Sequence, residues 1–365
     1  MTTIEAPASA SAAEDVSGRL FMEGVGAFHL LCVYVGRKLG LYRALGDAGP
    51  LCAAALAERV GLDRRYVREW LQAEVTAGLV TIDGDIDTGR FALAAGVREA
   101  LVDETSPFYV AGLAPALVAA GATVPRVVGA FRTGEGVAYA EYGPEAVEAQ
   151  AALNRPAFTN SLVTEWLPVV PDVLARLQDT ARPARVADLG CGVGWSSIEL
   201  ARAFPHLRVD GIDSDDESIS RARQNAAEHG VADRVDFEVG DISLERPGGA
   251  RYDLVVFFEV LHDLGHPVEA LTAARKSLSP GGTVIVMDER VAETLPPPGD
   301  PIETFFATVS VLWCLPQGRV DLDSAAVGTI MRPSTLRELA AKAGYRSADI
   351  LPIDHPFWRF YRLTP

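Results

Sequence analysis

Apolar residues between Gly18 and Leu45 recur at steps of mostly three and four positions: Leu20, Phe21, Val25, Phe28, Leu31, Val35, Leu39 and Leu41. That period predicts a helix with one buried face at the start of the fold. Ala53 to Val60, the break Gly61-Leu62-Asp63 and Arg64 to Leu79 predict helix, turn, helix. An Asp-Gly turn within Thr81 to Asp85, leading into Arg90-Phe91-Ala92-Leu93, predicts a small hairpin, so the segment spells a winged helix. The run from Phe108 to Phe131, and a stretch from Glu145 to Leu177 broken at Pro156, Pro168 and Pro171, continue the helical pattern. These helices carry more apolar surface than one small domain buries, and a homodimer would cover it.

The pattern changes beyond Asp179 to Arg185. Short apolar runs at Val186 to Leu189, Leu207 to Ile212, Val235 to Val239, Tyr252 to Phe258 and Thr283 to Met287 predict strands. Helical runs at Ser196 to Phe204, Ser218 to His229 and Val268 to Leu278 alternate with them, which predicts an α/β fold with a parallel sheet covered on both faces. Helix Pro333 to Ala343 is followed by Ala348 to Ile353 and Phe357 to Leu363, an expected closing antiparallel pair around Asp354-His355-Pro356. The expected organisation is a flexible tail over 1–17, a winged-helix domain over 18–105, a helical connector over 106–180 and a catalytic domain over 181–365.

With 48% hydrophobic and 22% charged residues among 365, a folded globular chain is expected. The net charge of −16 repels phosphate backbones. Arg64, Arg65 and Arg68 open the would-be recognition helix, but residues 1–110 hold ten Lys or Arg against fifteen Asp or Glu, which speaks against a nucleic-acid partner. Cys32, Cys52, Cys191 and Cys314 show no paired spacing, and the first 17 residues lack a basic start and apolar core, so a cytoplasmic protein without disulfides is expected. Pro107, Pro115 and Pro125 interrupt the uncharged stretch Thr105 to Pro125, so no membrane span is expected there.

Candidate chemistry begins where the first strand of the second half turns into a helix, at Asp188-Leu189-Gly190-Cys191-Gly192-Val193-Gly194. Glycines there let backbone approach a ligand at the carboxyl end of a parallel strand. A dinucleotide loop needs another glycine at position 195, where this chain has Trp195. An acid two residues before Gly190 suits a ligand with an ammonium group, and S-adenosyl-L-methionine, net cationic, suits an acidic protein. Asp213, with Ser214 beside it, ends the second strand where a carboxylate accepts both ribose hydroxyls. Gly240-Asp241-Ile242 follows the third, with Asp241 for the adenine amino group and Ile242 against the ring. Cys191 and Phe258 complete the expected cofactor contacts.

On these motifs the chain resembles class I S-adenosylmethionine-dependent methyltransferases, in particular bacterial members with an N-terminal winged helix and, more distantly, plant-type small-molecule O-methyltransferases. The resemblance implies a Rossmann-like sheet of order 3-2-1-4-5-7-6 with strand 7 antiparallel, dimerisation through residues 18–105, a substrate-covering segment after it, and S-adenosyl-L-homocysteine as product. In the plant-type enzymes the base is the His of a His-Asp-Trp motif; His262-Asp263 matches it, with Leu264 in place of the tryptophan. A neutral imidazole with a pKa near 6.5 can take a hydroxyl proton. The family orients that histidine with an acid after strand five, and Asp288 matches by position. Glu259, three residues before His262, is expected to share its helical face and to raise its pKa or hold its tautomer.

Tyr139, Tyr142, Trp166, Phe306 and Trp313 lie in segments that cover the family's site and are the expected contacts of a flat, largely apolar small-molecule acceptor. His206, His229, His266 and His355 show no metal spacing, so no metal is expected. Methyl transfer to a hydroxyl is the leading expectation. Transfer to nitrogen, sulfur or carbon, a cofactor-responsive winged-helix regulator, and a non-methylating enzyme on the same fold are the alternatives.

Overall fold

The computed structural model describes residues 8–244, 249, 251–321 and 323–365. They fall into two compact units, Met1–Val118 and Ala119–Pro365.

In the first unit, helices Ala53–Val60 and Arg64–Thr76 flank the predicted break. Asp63 caps the second by accepting from the N–H groups of Arg65 at 2.9 Å and Tyr66 at 3.1 Å. Strands β1 (Val80–Asp83) and β2 (Arg90–Leu93) form the expected antiparallel hairpin. Leu41, Leu45, Leu56, Leu71 and Phe91 make its core.

The first helix departs from expectation twice. It spans Ala8–Lys38, so residues 8–17, expected as part of a tail, are helical, as their alanines favour; residues 1–7 lie outside the described residues. Its apolar stripe is also not buried: Leu20, Phe21, Val25, Phe28, Leu31 and Val35 are exposed, Phe28 at 75%, as is Leu39 just beyond the helix, whereas Leu41, the last residue of the pattern, is buried as expected. The helical period is present, but nothing in this chain's first unit covers that face. Ser11–Lys38 and Leu113–Thr133 are long and apolar enough to cross a membrane, by length and composition alone. Pro125 sits inside the second of these helices and does not end it.

In the second unit Pro156 likewise lies inside helix Pro144–Ala157, and a π-helical stretch, Phe158–Trp166, follows at once. The sheet comprises β3 (Arg185–Leu189), β4 (Arg208–Asp213), β5 (Val235–Val239), β6 (Tyr252–Phe258), β7 (Leu278–Glu289), β8 (Ser347–Ile350) and β9 (Trp358–Thr364). Its order is β5-β4-β3-β6-β7-β9-β8. Pairs from β5 to β7 are parallel and β9 runs antiparallel to both neighbours. Counted within this unit, that is the expected 3-2-1-4-5-7-6.

Successive residues of each strand point to opposite faces. Val186, Leu254, Val256, Met287 and Phe360 join one core with Ile198 and Phe237. Ala187, Val255, Phe257, Val286 and Tyr361 join the other with Leu271 and Leu336. This double burial is why the strands read as continuous apolar runs. Helix Pro301–Val309 and the π-helical Ser310–Cys314 were not foreseen.

Candidate active site

The loop after β3 is built from two positions that only glycine fills. Gly190 has φ +77, and a Cβ there would lie 2.3 Å from Val260. Gly194, at φ +83, would press one 2.4 Å from the Phe237 ring. Around Gly192 there is open space instead, so backbone is bare toward the sheet edge.

A cavity of about 450 Å³ runs along this edge, within the size range of small-molecule sites. Gly190, Cys191, Gly192, Asp213, Ser214, Gly240, Asp241, Ile242 and Phe258 all line it. Asp213 accepts the Gly192 N–H at 2.8 Å through Oδ2 and the Asp215 N–H at 3.0 Å through Oδ1. These bonds fix the carboxylate and leave it acceptor capacity for two further hydroxyls. Burial pushes its pKa up, against the pull of those backbone donors. Asp241 spends Oδ1 on Ser243, at 2.8 Å from its N–H and 2.6 Å from its hydroxyl. The lining holds the carboxylates of Asp213, Asp215, Asp241, Glu259, Asp263 and Asp321 and, among the described residues, neither Lys nor Arg. Such a wall fits a net cationic nucleoside ligand with a sulfonium and an ammonium, and disfavours a pyrophosphate.

Asp188 is the exception among the expected cofactor contacts. It is 1% exposed, does not line the cavity, and accepts hydroxyl hydrogen bonds from Ser196 and, at 2.7 Å, Ser197. It ties the glycine loop to the helix Trp195–Ala203 from beneath. Trp195, the residue standing where a dinucleotide loop has glycine, lines the cavity with the Arg155 guanidinium 3.9 Å from its ring centroid.

His262 sits in a short 3₁₀ turn, Leu261–Asp263, and is 2% exposed. Its Nδ1 lies 2.8 Å from Asp288 Oδ1 and 3.0 Å from Glu289 Oε2, and its Nε2 lies 3.2 Å from Asp263 Oδ1. Burial opposes a charge on the ring, but Asp263, Glu289 and Asp288 outweigh it and hold the pKa well above the usual value. These acids favour the protonated ring over the neutral base expected. It also does not line the cavity, whereas its partner Asp263 does. Asp288 feels burial, yet the imidazolium keeps its pKa below the ordinary range. Burial drives that of Glu289 well up, His262 opposing it and Asp288 adding to it.

Glu259 precedes that turn at φ +56 and does not share a helical face with His262. It lines the cavity, Trp358 Nε1 donates to its carboxylate, and Asn154 hydrogen-bonds it. Burial pushes its pKa up to about 7 against these donors and His262.

Of the expected acceptor contacts, only Tyr139 lines the cavity. Tyr142 stacks on Trp313 at 4.8 Å and donates to Leu312 O at 2.9 Å. Trp166 packs on Phe360 and Trp358 at 4.7 and 6.0 Å, and Phe306 is buried beside Phe305. These four are core, as large aromatics on apolar helices commonly are. Missed in the sequence were Val147, Gln150, Asn154 and Phe158, which line the cavity from one helical face; their three- and four-residue spacing was the available signal. His206, His229, His266 and His355 belong to no such cluster among the described residues, but His262 joins two groups whose atoms lie close enough to hold a metal ion, one with Asp263 and Cys314 and one with Asp288 and Glu289. An imidazolium among carboxylates accounts for the same spacing.

A methyltransferase-domain family model matches residues 182–318, and an Rv2258c-like winged HTH domain matches residues 27–101. The chain is 31% identical over 267 residues to the tetracenomycin polyketide synthesis 8-O-methyl transferase TcmO of Streptomyces glaucescens, covering 70% of this chain and 73% of that protein. It is 35% identical over 114 residues to a trans-aconitate 2-methyltransferase of Streptomyces avermitilis, which covers 31% of this chain and spans only 42% of that relative's length. The mitomycin 7-O-methyltransferase MmcR shares the fold with a TM-score of 0.67 over 98% of this chain and 99% of that one, at 23% identity. With the sheet order, the glycine loop and the acid series in place, the chain belongs to the S-adenosylmethionine-dependent methyltransferases that carry an N-terminal winged-helix domain.

Proposed function

We propose that this protein transfers the methyl group of S-adenosyl-L-methionine to a small, largely apolar acceptor at a hydroxyl oxygen, leaving S-adenosyl-L-homocysteine. The observation that carries this reading is the single cavity in which the glycine loop, Asp213, Asp241 and Phe258, from the ends of β3, β4, β5 and β6, come together. When bound, the cofactor supplies an electrophilic methyl carbon on a sulfonium, and positioning the acceptor oxygen in line with it is the larger part of the catalysis. Asp213 holds the ribose hydroxyls, and Asp241 with Ile242 holds the adenine. Asp263, lining the cavity and paired with His262, receives the hydroxyl hydrogen bond, and its carboxylate takes the proton while the charged ring beside it keeps its own. The relative acting in tetracenomycin polyketide synthesis supports an aromatic or polyketide-like acceptor.

The protein acts as a homodimer in this reading, the exposed stripe of helix Ala8–Lys38 being the surface that pairs. A DNA partner is disfavoured, because Arg65 is paired with Glu69 and Arg68 with Asp87 at 2.6 Å. Calorimetry with S-adenosyl-L-methionine tests the cofactor assignment: the wild type binds it with one site per chain, and Asp213→Ala weakens it at least about tenfold by losing a charge-assisted bidentate contact. Equal binding by the two proteins would remove Asp213 from the site.

A further inference from the structure

We propose that Glu259 is the anionic partner of the cofactor's α-ammonium group. The inference rests on the S-adenosylmethionine reading above and assigns a place that the sequence alone gave to Asp188. Asp188 does not line the cavity: it is 1% exposed and holds the Ser196 and Ser197 hydroxyls on Oδ2 beneath the loop.

The sheet order says which acid takes over. Strands β5, β4, β3 and β6 are consecutive neighbours, and the loops after them all open on the cavity. With adenine at Asp241 after β5 and ribose at Asp213 after β4, the sulfur lies over the glycine loop after β3. Continuing in the same direction, the amino-acid end reaches the loop after β6, which begins with Glu259. Of the other lining carboxylates, Asp215 lies beside the ribose acid, and Asp321 is exposed at 63% and faces His266 at 3.8 Å. Asp263 is in the β6 loop but is turned to His262 Nε2 at 3.2 Å.

Glu259 is built to present its carboxylate. Its φ of +56 is a left-handed conformation that non-glycine residues rarely adopt, the kind of strain that persists at ligand clamps. Trp358, from β9, and Asn154, from helix Pro144–Ala157, each donate to it, which fixes the side chain from two elements. A carboxylate offers about four acceptor sites, so two donors leave room for an ammonium.

The test is calorimetry on the full chain with two ligands that share the nucleoside thioether: S-adenosyl-L-homocysteine, which carries the ammonium, and 5′-methylthioadenosine, which lacks the amino-acid end. In Glu259→Gln the first ligand is expected to bind about 10- to 100-fold more weakly and the second to be unchanged, the size of a lost charge-assisted contact. Glu259→Asp, which keeps the charge on a shorter arm, recovers part of the preference and serves as the second variant should the glutamine protein fail to fold. Equal weakening of both ligands in a folded variant means a structural role, and undiminished binding of S-adenosyl-L-homocysteine means no role; either overturns the assignment. A wild type that binds neither ligand removes the cofactor reading itself, an outcome distinct from both.

Discussion

His262 Nδ1 lies 2.8 Å from Asp288 Oδ1 in a pocket where both residues are sealed from solvent, at 2% and 1% exposure. The ring meets three acid side chains, Asp263, Asp288 and Glu289. Replacing it by glutamine leaves buried acids without their counter-charge, and a loss of about 3–5 kcal/mol in chemical denaturation is expected. The sign with pH follows from the shifts. The raised pKa of His262 gives stability that is complete below its usual value near 6.5 and lost as pH rises through the folded value. The depressed pKa of Asp288 gives stability present above the ordinary carboxylate range and lost as pH falls through the folded value. The wild type should therefore lose stability on the alkaline side along a slope that His262→Gln lacks; parallel curves would rule out the imidazolium.

Gly194→Ala meets two penalties at once, a φ of +83 and a Cβ 2.4 Å from the Phe237 ring. Phe237 is core, 3% exposed, and has nowhere to retreat. A loss of about 1–3 kcal/mol is expected by thermal unfolding, with weaker cofactor binding. An unchanged melting temperature would show the loop to be looser than its geometry implies.

Cofactor affinity is expected to rise with pH. The Glu259 carboxyl is held up to about 7, so it is mostly protonated at pH 6 and mostly ionised at pH 8. The groups acting on it are His262 in its own loop, Asp288 of β7, Trp358 of β9 and Asn154. Across that interval Asp288, with its lowered pKa, stays anionic, and the raised pKa of His262 favours its charged ring. S-adenosyl-L-homocysteine should bind about tenfold more tightly at pH 8 than at pH 6. A flat profile that Glu259→Gln leaves unaltered would contradict this.

The exposed stripe on helix Ala8–Lys38 carries Phe21 at 71% and Phe28 at 75% exposure. The wild type is expected to scatter light as a dimer, and placing Glu at both positions to yield a monomer. A wild type that is already monomeric would leave the stripe without the pairing role.

What could be read from the chain divides along physical lines. The central strands β3, β6 and β7 were legible because they are buried on both faces and run into glycine or acid, which is information local to the strand, while the edge strand β5 alternates buried and exposed residues. The exposure of the first helix was not, since an apolar period marks a face without saying what covers it. Aromatic residues signal surface area but not direction, so Tyr142, Trp166, Phe306 and Trp313 were read toward the cavity when they pack away from it. The exchange of Asp188 for Glu259 depends on two serine hydroxyls and one left-handed backbone angle, which spacing does not encode. The charge of His262 likewise arises only where Asp288 and Glu289 of β7 meet Asp263 around one ring.

Incubation with methyl-labelled S-adenosyl-L-methionine and fractionated small-molecule extracts, with the label followed into each fraction, tests the proposed reaction most directly. Label in a small-molecule product, formed with stoichiometric S-adenosyl-L-homocysteine and strongly reduced in Asp213→Ala, is expected. Tight cofactor binding with all label still on the cofactor, in every fraction, would contradict methyl transfer and turn the same cavity toward a regulatory or non-methylating role.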